Sequence, residues 1–397
     1  MAITRRDFLN GVALTIAAGL TPLSAIRANP TQNYPPLKTG MRGNHPGSFE
    51  AAHKLARQGH RFPIGGLGVQ GQYDLVVVGG GISGLSAAWF YRQKNPNAKI
   101  LILDNHDDFG GHAKRNEFKV NGDTLLSYGG SESFQSPDML FSEQVNALMG
   151  DLGIETEKFK RYFDREFYFK QGLSRGTFFD KAHFGIDKVV GGSPEMGIAD
   201  ELRPDLLNSR PLEEYLNDFP LPESDRKALI TLHLNPPNYL ADMPYDEKID
   251  YLWGISYYTF LKDVVGLSDT ALLYFRSMSN EFYGYGIDSI AALDAQQVRY
   301  PGFDAMGLPE PSEEVKAELD DPYIYHFPDG NASVARLLVR GLIPGVAPGN
   351  TMEDVVMAKF DYDKLDVASN NVQLRLNSTV VRVDNPNGPV DVGEVVK

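Results

Sequence analysis

The stretch from Tyr73 to Asp104 constrains this chain more than any other. Tyr73-Asp74-Leu75-Val76-Val77-Val78 is an apolar, β-branched run stopped by glycines, the pattern of a strand buried on both faces. Gly79-Gly80-Gly81-Ile82-Ser83-Gly84 follows at once, and Leu85-Ser86-Ala87-Ala88-Trp89-Phe90 opens a helix. A second strand, Lys99-Ile100-Leu101-Ile102-Leu103, ends at Asp104, about 20 residues past Gly84. In this context G-x-G-x-x-G predicts a dinucleotide-binding strand–helix–strand unit. Gly79 permits the tight turn, Gly81 lets backbone approach a pyrophosphate, and Gly84 lets the helix sit close on the strand. The N–H groups around Ser83, at the start of the helix, face that pyrophosphate with the positive end of the helix dipole. Asp104 is placed to accept from a ribose hydroxyl. A glycine-rich turn without a ligand would need neither the helix nor the acid at that spacing.

That unit alone does not choose between FAD and NAD. Two glycine pairs and a later single-glycine turn follow it in order. Gly110-Gly111-His112 comes shortly after Asp104, Ser127-Tyr128-Gly129-Gly130-Ser131-Glu132 next, and His326-Phe327-Pro328-Asp329-Gly330-Asn331-Ala332 much later. Leu376-Asn377-Ser378-Thr379-Val380-Val381-Arg382-Val383 reads as a late strand. The acid followed by Gly110-Gly111 resembles the extended FAD signature of the amine oxidase superfamily. There the first pair lies by the cofactor phosphates, the second near the flavin ring, and a strand position matching Val380 brackets the adenine. The chain departs from that pattern in three places: Asp104 stands where Glu is commoner, His112 where Arg is usual, and Asp329 where the turn has its first Gly. His112 is equally readable as a surface loop residue, and Gly129-Gly130 by itself as an ordinary turn.

The first residues carry an address. Thr4-Arg5-Arg6-Asp7-Phe8-Leu9 is a twin-arginine signal core, and the apolar run from Gly11 to Leu20 behind it is too short for a membrane span. That route exports folded proteins, which suits a chain that loads its cofactor before reaching the periplasm. The chain has no cysteine, so thiol nucleophiles, iron–sulfur clusters and a thioether-linked flavin are excluded. A formal net charge of -14 argues against nucleic-acid binding.

With the leader, the arm Arg42-Gly43-Asn44-His45-Pro46-Gly47-Ser48-Phe49-Glu50 and the glycine fingerprint, the chain resembles the flavin-dependent spermidine dehydrogenases. The resemblance implies FAD, hydride transfer from an amine α-carbon to the flavin, and hydrolysis of the imine to an aldehyde and a shorter amine; the absence of cysteine, with no sign of a histidine tether, predicts that the FAD is non-covalent. It implies a polyamine substrate and, in some members, a b-type haem, for which His45, His53 and His60 are ligand candidates. Substrate ammonium groups call for carboxylates and aromatic faces. Glu132, and Tyr283 and Tyr285 within Glu281-Phe282-Tyr283-Gly284-Tyr285-Gly286-Ile287-Asp288, are the candidates; a core aromatic cluster with solvated acids is the plainer reading of that segment. Nothing in the sequence names the electron acceptor.

The expected fold is α/β: a Rossmann-like FAD-binding domain of amine-oxidase type with a mixed, largely helical substrate domain. The expected boundaries are a signal peptide over 1–28, an extended arm over 29–72 with a short helix from Ser48 to Gln58, and a first FAD segment over 73–136. A cap follows over 137–321, and 322–397 returns to the FAD domain. In the cap a helix is expected from Asp246 to Val265 and a strand at Glu166-Phe167-Tyr168-Phe169. In the return segment a helix is expected from Ala332 to Leu342, and strands over Val372–Leu376 and Thr379–Val383. A further strand beginning at Val390 breaks off at Lys397, so the chain reads as a truncated form whose closing segment is missing. Two other readings remain open: a desaturase or oxidase of an apolar or phenolic substrate in the same flavin superfamily, and a non-catalytic FAD-fold binding protein.

Overall fold

A computed structural model of the chain describes residues 34–38, 47–63 and 68–384. The twin-arginine leader, His45 and the Val390–Val396 stretch lie outside the described residues. The chain divides into two compact units. One is formed by the residues up to Glu132 together with those from Phe327 onward, the other by Ser133–His326.

The first unit is built on a parallel sheet. Strand β1 (Leu75–Val78) pairs with β2 (Ile100–Leu103) in the register Leu75↔Ile100, and β2 pairs on its other side with the strand Val372–Arg375, Ile100 facing Val372. Parallel strands need a crossover, and helix α1 (Ile82–Lys94) supplies it between β1 and β2. β2 is the buried centre: Ile100 and Ile102 are fully enclosed, whereas Val76 and Val78 of β1 are exposed. The expected Ala332–Leu342 helix forms over those residues and packs on α1. Its Arg336 is buried, donates to the carbonyls of Val355 and Ala358, and stacks over Phe360.

An antiparallel hairpin, β3 (Arg115–Val120) and β4 (Asp123–Tyr128), extends from this unit around an Asn121-Gly122 turn whose two residues both have positive φ. Arg115 at its base is buried and ion-paired to Asp329 at 2.9 Å and to Glu117. Tyr34 of the arm donates to Glu117 Oε1 at 2.8 Å. The arm's short helix runs Glu50–Ala56, and Asn105 donates to the Ser48 carbonyl beside it at 2.6 Å.

The second unit is mostly helical, with one further hairpin, β5 (Gly176–Phe179) and β6 (Lys188–Gly191). Its core gathers aromatic rings, with Phe260 stacked on Phe303 at 4.5 Å and near Tyr257.

Three expectations fail locally. Glu166–Phe169 is not a strand: Phe167–Lys170 is a helical turn, closed by the Glu166–Lys170 ion pair at 2.8 Å, and its three aromatic rings are exposed, so no alternating burial is imposed. The Asp246–Val265 helix is broken. It runs Tyr245–Gly254, Ile255 is extended, and Ser256 caps a new helix by accepting from the Thr259 N–H. Thr379–Val383 forms no strand. Asn377 at φ 53° turns the chain, and the N–H groups of Asn377 and Ser378 go to the carbonyls of His106 and Asp104, a loop that offers no strand to pair with.

Candidate functional site

The glycine loop after β1 closes a hollow of about 380 Å³ at the start of α1. Gly79 takes φ 107°, a backbone region open to glycine, and its N–H is held by the Leu103 carbonyl at 2.7 Å. A Cβ on Gly84 would collide with the Gly79 carbonyl oxygen, so the first helical turn can press on the loop only with glycine there. Gly81 is different. The nearest protein atom to a Cβ built on it is the Gly111 Cα at 3.7 Å, an ordinary contact, and its φ of -75° suits any residue. The protein itself leaves room for a side chain at Gly81, and the space opens into the hollow.

The second glycine pair closes the other side. Gly110 donates to the Gly80 carbonyl at 2.8 Å, and Gly81 and Gly110 form an isolated parallel bridge. Val78, Gly79, Gly81, Ser83, Gly84 and Gly110 line the hollow together with Ile82, His112, Ala113 and Ser131. The third pair is drawn in behind His112. Gly130 donates to the His112 carbonyl at 3.1 Å, and a Cβ at Gly130 would strike the His112 ring. Gly129 donates to Lys114 at 2.8 Å. Ser131 is clamped to the turn before the Ala332–Leu342 helix, its hydroxyl accepting from Asn331 Nδ2 at 2.9 Å.

Asp104 stands at the end of β2, nearly buried. Its carboxylate accepts from the Gly80 N–H at 2.7 Å and the His106 N–H at 2.8 Å, so it braces the glycine loop itself. Val380 does not line the hollow and is not on a strand. Asp329 is fully buried and engaged with Arg115 and with the Ser333 hydroxyl. Glu132 accepts from the Tyr128 hydroxyl at 2.7 Å within the same unit. His53 lies against the Phe49 ring at 5.1 Å and His60 against Phe62 at 4.8 Å. Among the described residues no group of three or more metal-ligating side chains comes together.

The Ser133–His326 unit holds a larger cleft of about 1190 Å³. Neither Tyr283 nor Tyr285 lines it, but Glu281 and Phe282 from the same segment do. Burial pushes Tyr283 up to about 12, and Tyr285 is largely exposed. The sequence reading missed the groups that give this cleft its character: Arg175, Glu195, Asp200, His233, Tyr274 and Tyr300. Arg175 at the foot of β5 reaches Asp200 with both guanidinium nitrogens. Burial would raise the Asp200 carboxyl, but Arg175 and the backbone N–H groups of Leu202 and Gly197 outweigh it and hold it low. Glu195 is handled similarly: burial would raise it, yet His233 and the Tyr274 hydroxyl keep it below the usual carboxylate range. Burial and the neighbouring Glu195 push Tyr274 well above its ordinary value, so it stays a donor.

The chain is similar to NAD(P)-binding Rossmann-like domains over residues 77–152. A curated protein of Acanthamoeba polyphaga mimivirus, uncharacterized protein R188, is 31% identical over 77 residues, 19% of this chain and 15% of that protein. Among solved structures, a putative protoporphyrinogen oxidase from Exiguobacterium sp. 255-15 aligns over 79% of this chain and 54% of its own, at 17% identity and a TM-score of 0.38. Putrescine oxidase with putrescine bound aligns over 76% of this chain and 51% of its own, at 17% identity and a TM-score of 0.31. At these scores the likeness establishes no common global fold. The chain spans about half the length of these solved structures. The Rossmann-like dinucleotide-binding unit is the part that sequence family and structure share.

Proposed function

We propose that this chain is an FAD-dependent oxidoreductase acting on an amine, with a polyamine as its substrate. The observation that carries the cofactor half is the Gly81–Gly110 pairing. It sets two backbone turns on either side of one hollow at the start of α1, with no side chain at Gly81 to obstruct a diphosphate. The Gly-Gly pairs beyond the first fingerprint favour FAD over a nicotinamide cofactor, by the resemblance drawn above. When bound, FAD supplies the hydride acceptor. The chain's own part would be to hold it: the N–H groups at the start of α1 would meet the diphosphate, and Asp104, which accepts from the Gly80 N–H and so keeps that loop in place, would offer an acceptor to the ribose. His112 borders the same hollow. The amine half is supported by the second unit's cleft, where carboxylates outnumber cations and Tyr274, Phe282, Tyr300 and Tyr323 supply aromatic surface. The leader supports export to the periplasm by the twin-arginine route. A haem on His45 or His53 finds no support in the geometry around His53.

The test is anaerobic titration of the FAD-loaded full chain with spermidine. Loss of the visible flavin band supports the reading. Bleaching by apolar or phenolic substrates alone would replace it with the superfamily alternative, and a bound flavin that no substrate bleaches would leave a binding protein.

A further inference from the structure

The side of the hollow that carries Gly110 has little regular structure behind it. The loop over residues 105–109, which leads there from the end of β2, is paired in no strand, and Gly110 meets the glycine loop through one isolated bridge. Part of what holds this loop is the arm ahead of β1. Lys38 is ion-paired to Asp107 at 2.6 Å, and Asn105 donates to the Ser48 carbonyl at 2.6 Å.

Tyr34 backs the same loop from within. Its ring meets Tyr362 edge-on at 5.6 Å, and Tyr362 in turn stacks on Phe109 at 5.7 Å and donates its hydroxyl to Asp108 Oδ1 at 2.6 Å. Gly110 is the next residue along. The Tyr34 hydroxyl goes elsewhere, to Glu117 Oε1, which also accepts from Arg115. Arg115 is paired with Asp329, and two residues on Asn331 donates to the Ser131 hydroxyl. Two chains of contact therefore run from one buried tyrosine of the arm, one to Gly110 and one to Ser131, and both of these residues line the hollow. Pro35 and Pro36 follow Tyr34, are buried with it, and have φ fixed by their rings, so this piece of chain loses less entropy on docking than an ordinary one.

We propose that the arm from Tyr34 to Lys38 is a strap that sets the Asp107–Gly110 side of the dinucleotide hollow, so that docking of the strap and binding of FAD strengthen each other. The proposal rests on the reading that the hollow takes FAD, and names the part of the chain that tunes that site. Tyr34 and Lys38 do not line the hollow; they are positioning residues. Linkage makes the effect reciprocal: the factor by which a docked strap tightens FAD is the factor by which FAD holds the strap docked. An arm that merely stabilised the unit, docking equally well with and without the ligand, would give no such coupling.

The experiment pairs amide hydrogen exchange with FAD titration on the full chain. The Leu37 and Lys38 N–H groups donate to the carbonyls of Tyr34 and Pro35, so they exchange when the strap opens. Saturating FAD should slow both by about 10-fold, within the usual range of coupling between sites, and Tyr34→Ala should weaken FAD by the same factor. Tyr34→Phe keeps the ring contact with Tyr362 and should weaken FAD less. Leu342→Ala is the control for lost stability. It opens a buried cavity where the Leu342 carbonyl accepts from Arg92, at the end of α1 away from the hollow. It should lower the melting temperature and leave FAD affinity within about twofold of wild type. Exchange at Leu37 and Lys38 unchanged by FAD, a Tyr34→Ala affinity within about twofold of wild type, or an equal loss in Leu342→Ala overturns the strap. If circular dichroism shows Tyr34→Ala unfolded, wild-type exchange and Tyr34→Phe decide. A wild type that binds no FAD refutes the cofactor reading and the strap's role with it; FAD bound with exchange unchanged refutes the strap alone.

Discussion

Gly81→Ala separates the fold from the cofactor site. The new methyl would meet no protein atom closer than the Gly111 Cα at 3.7 Å, and the backbone there is already in a region alanine adopts. Gly81 is the N-cap of α1, and exchanging an N-cap glycine for alanine costs some tenths of a kcal/mol to about 1. Removing a glycine from the unfolded chain returns about 0.4–1 kcal/mol. The two nearly cancel, so the melting temperature should move by no more than a few degrees. Binding should behave otherwise. The methyl points into the hollow where the diphosphate is to lie, and it pushes the phosphate off its backbone donors. One charged hydrogen bond lost is about 1.5–3 kcal/mol, a roughly 10- to 150-fold weaker FAD affinity. The assay is titration of FAD by flavin fluorescence quenching, beside a circular-dichroism melt of the same preparation. A Gly81→Ala protein that melts like wild type and binds FAD like wild type refutes the placement of the diphosphate against Gly81. Loss of the fold itself would refute the claim that only the ligand requires glycine there.

Two further outcomes are expected. Asp329→Ala leaves buried Arg115 with Glu117 as its remaining carboxylate partner and Ser333 without its acceptor, so unfolding in urea should show a loss of about 3 kcal/mol, the low end for breaking a buried pair; a loss under about 1 kcal/mol would mean the pair is not integral to the unit. Replacing both Arg5 and Arg6 by Lys should hold the protein in the cytoplasm, and an undiminished periplasmic fraction would dismiss the twin-arginine reading.

What the sequence made legible was contiguous. The strand, glycine loop, helix, strand and acid of the first unit lie within one short stretch, and residue types there answer local backbone demands: φ 107° at Gly79 and the crowded approach at Gly84. The Ala332–Leu342 helix was legible for the same reason, its apolar positions recurring on one face. The β3–β4 hairpin was missed although its signal was present, since Asn121-Gly122 between two runs of strand-forming residues is the usual mark of a tight turn. The break at Ile255 was harder. The apolar period continues across it, and only the tertiary bridge of Ser256 to Ala291 overrides it. The cleft was not legible at all. Glu195 follows β6, His233 ends the helix Glu223–Leu234, and Tyr274 lies in the helix Asp269–Phe275; no local pattern joins them.

Four carboxylates show why residue type and position in a motif do not settle a role, and what does. Asp104 occupies the fingerprint's acid position, yet its oxygens are taken up by the N–H groups of Gly80 and His106, which makes it first a brace for the loop. Asp329, in the later glycine turn, is closed off by Arg115 and Ser333 and serves the core of its unit. Asp200 lines the cleft but is matched by the whole fork of Arg175, so little of its charge is left for a ligand. Glu195 lines the same cleft and is engaged on both oxygens, one accepting from the Tyr274 hydroxyl and the other lying 3.3 Å from His233 Nε2, and these partners hold it below the usual carboxylate range against its burial. Each of these roles comes from the three-dimensional surroundings of the carboxylate and not from any motif.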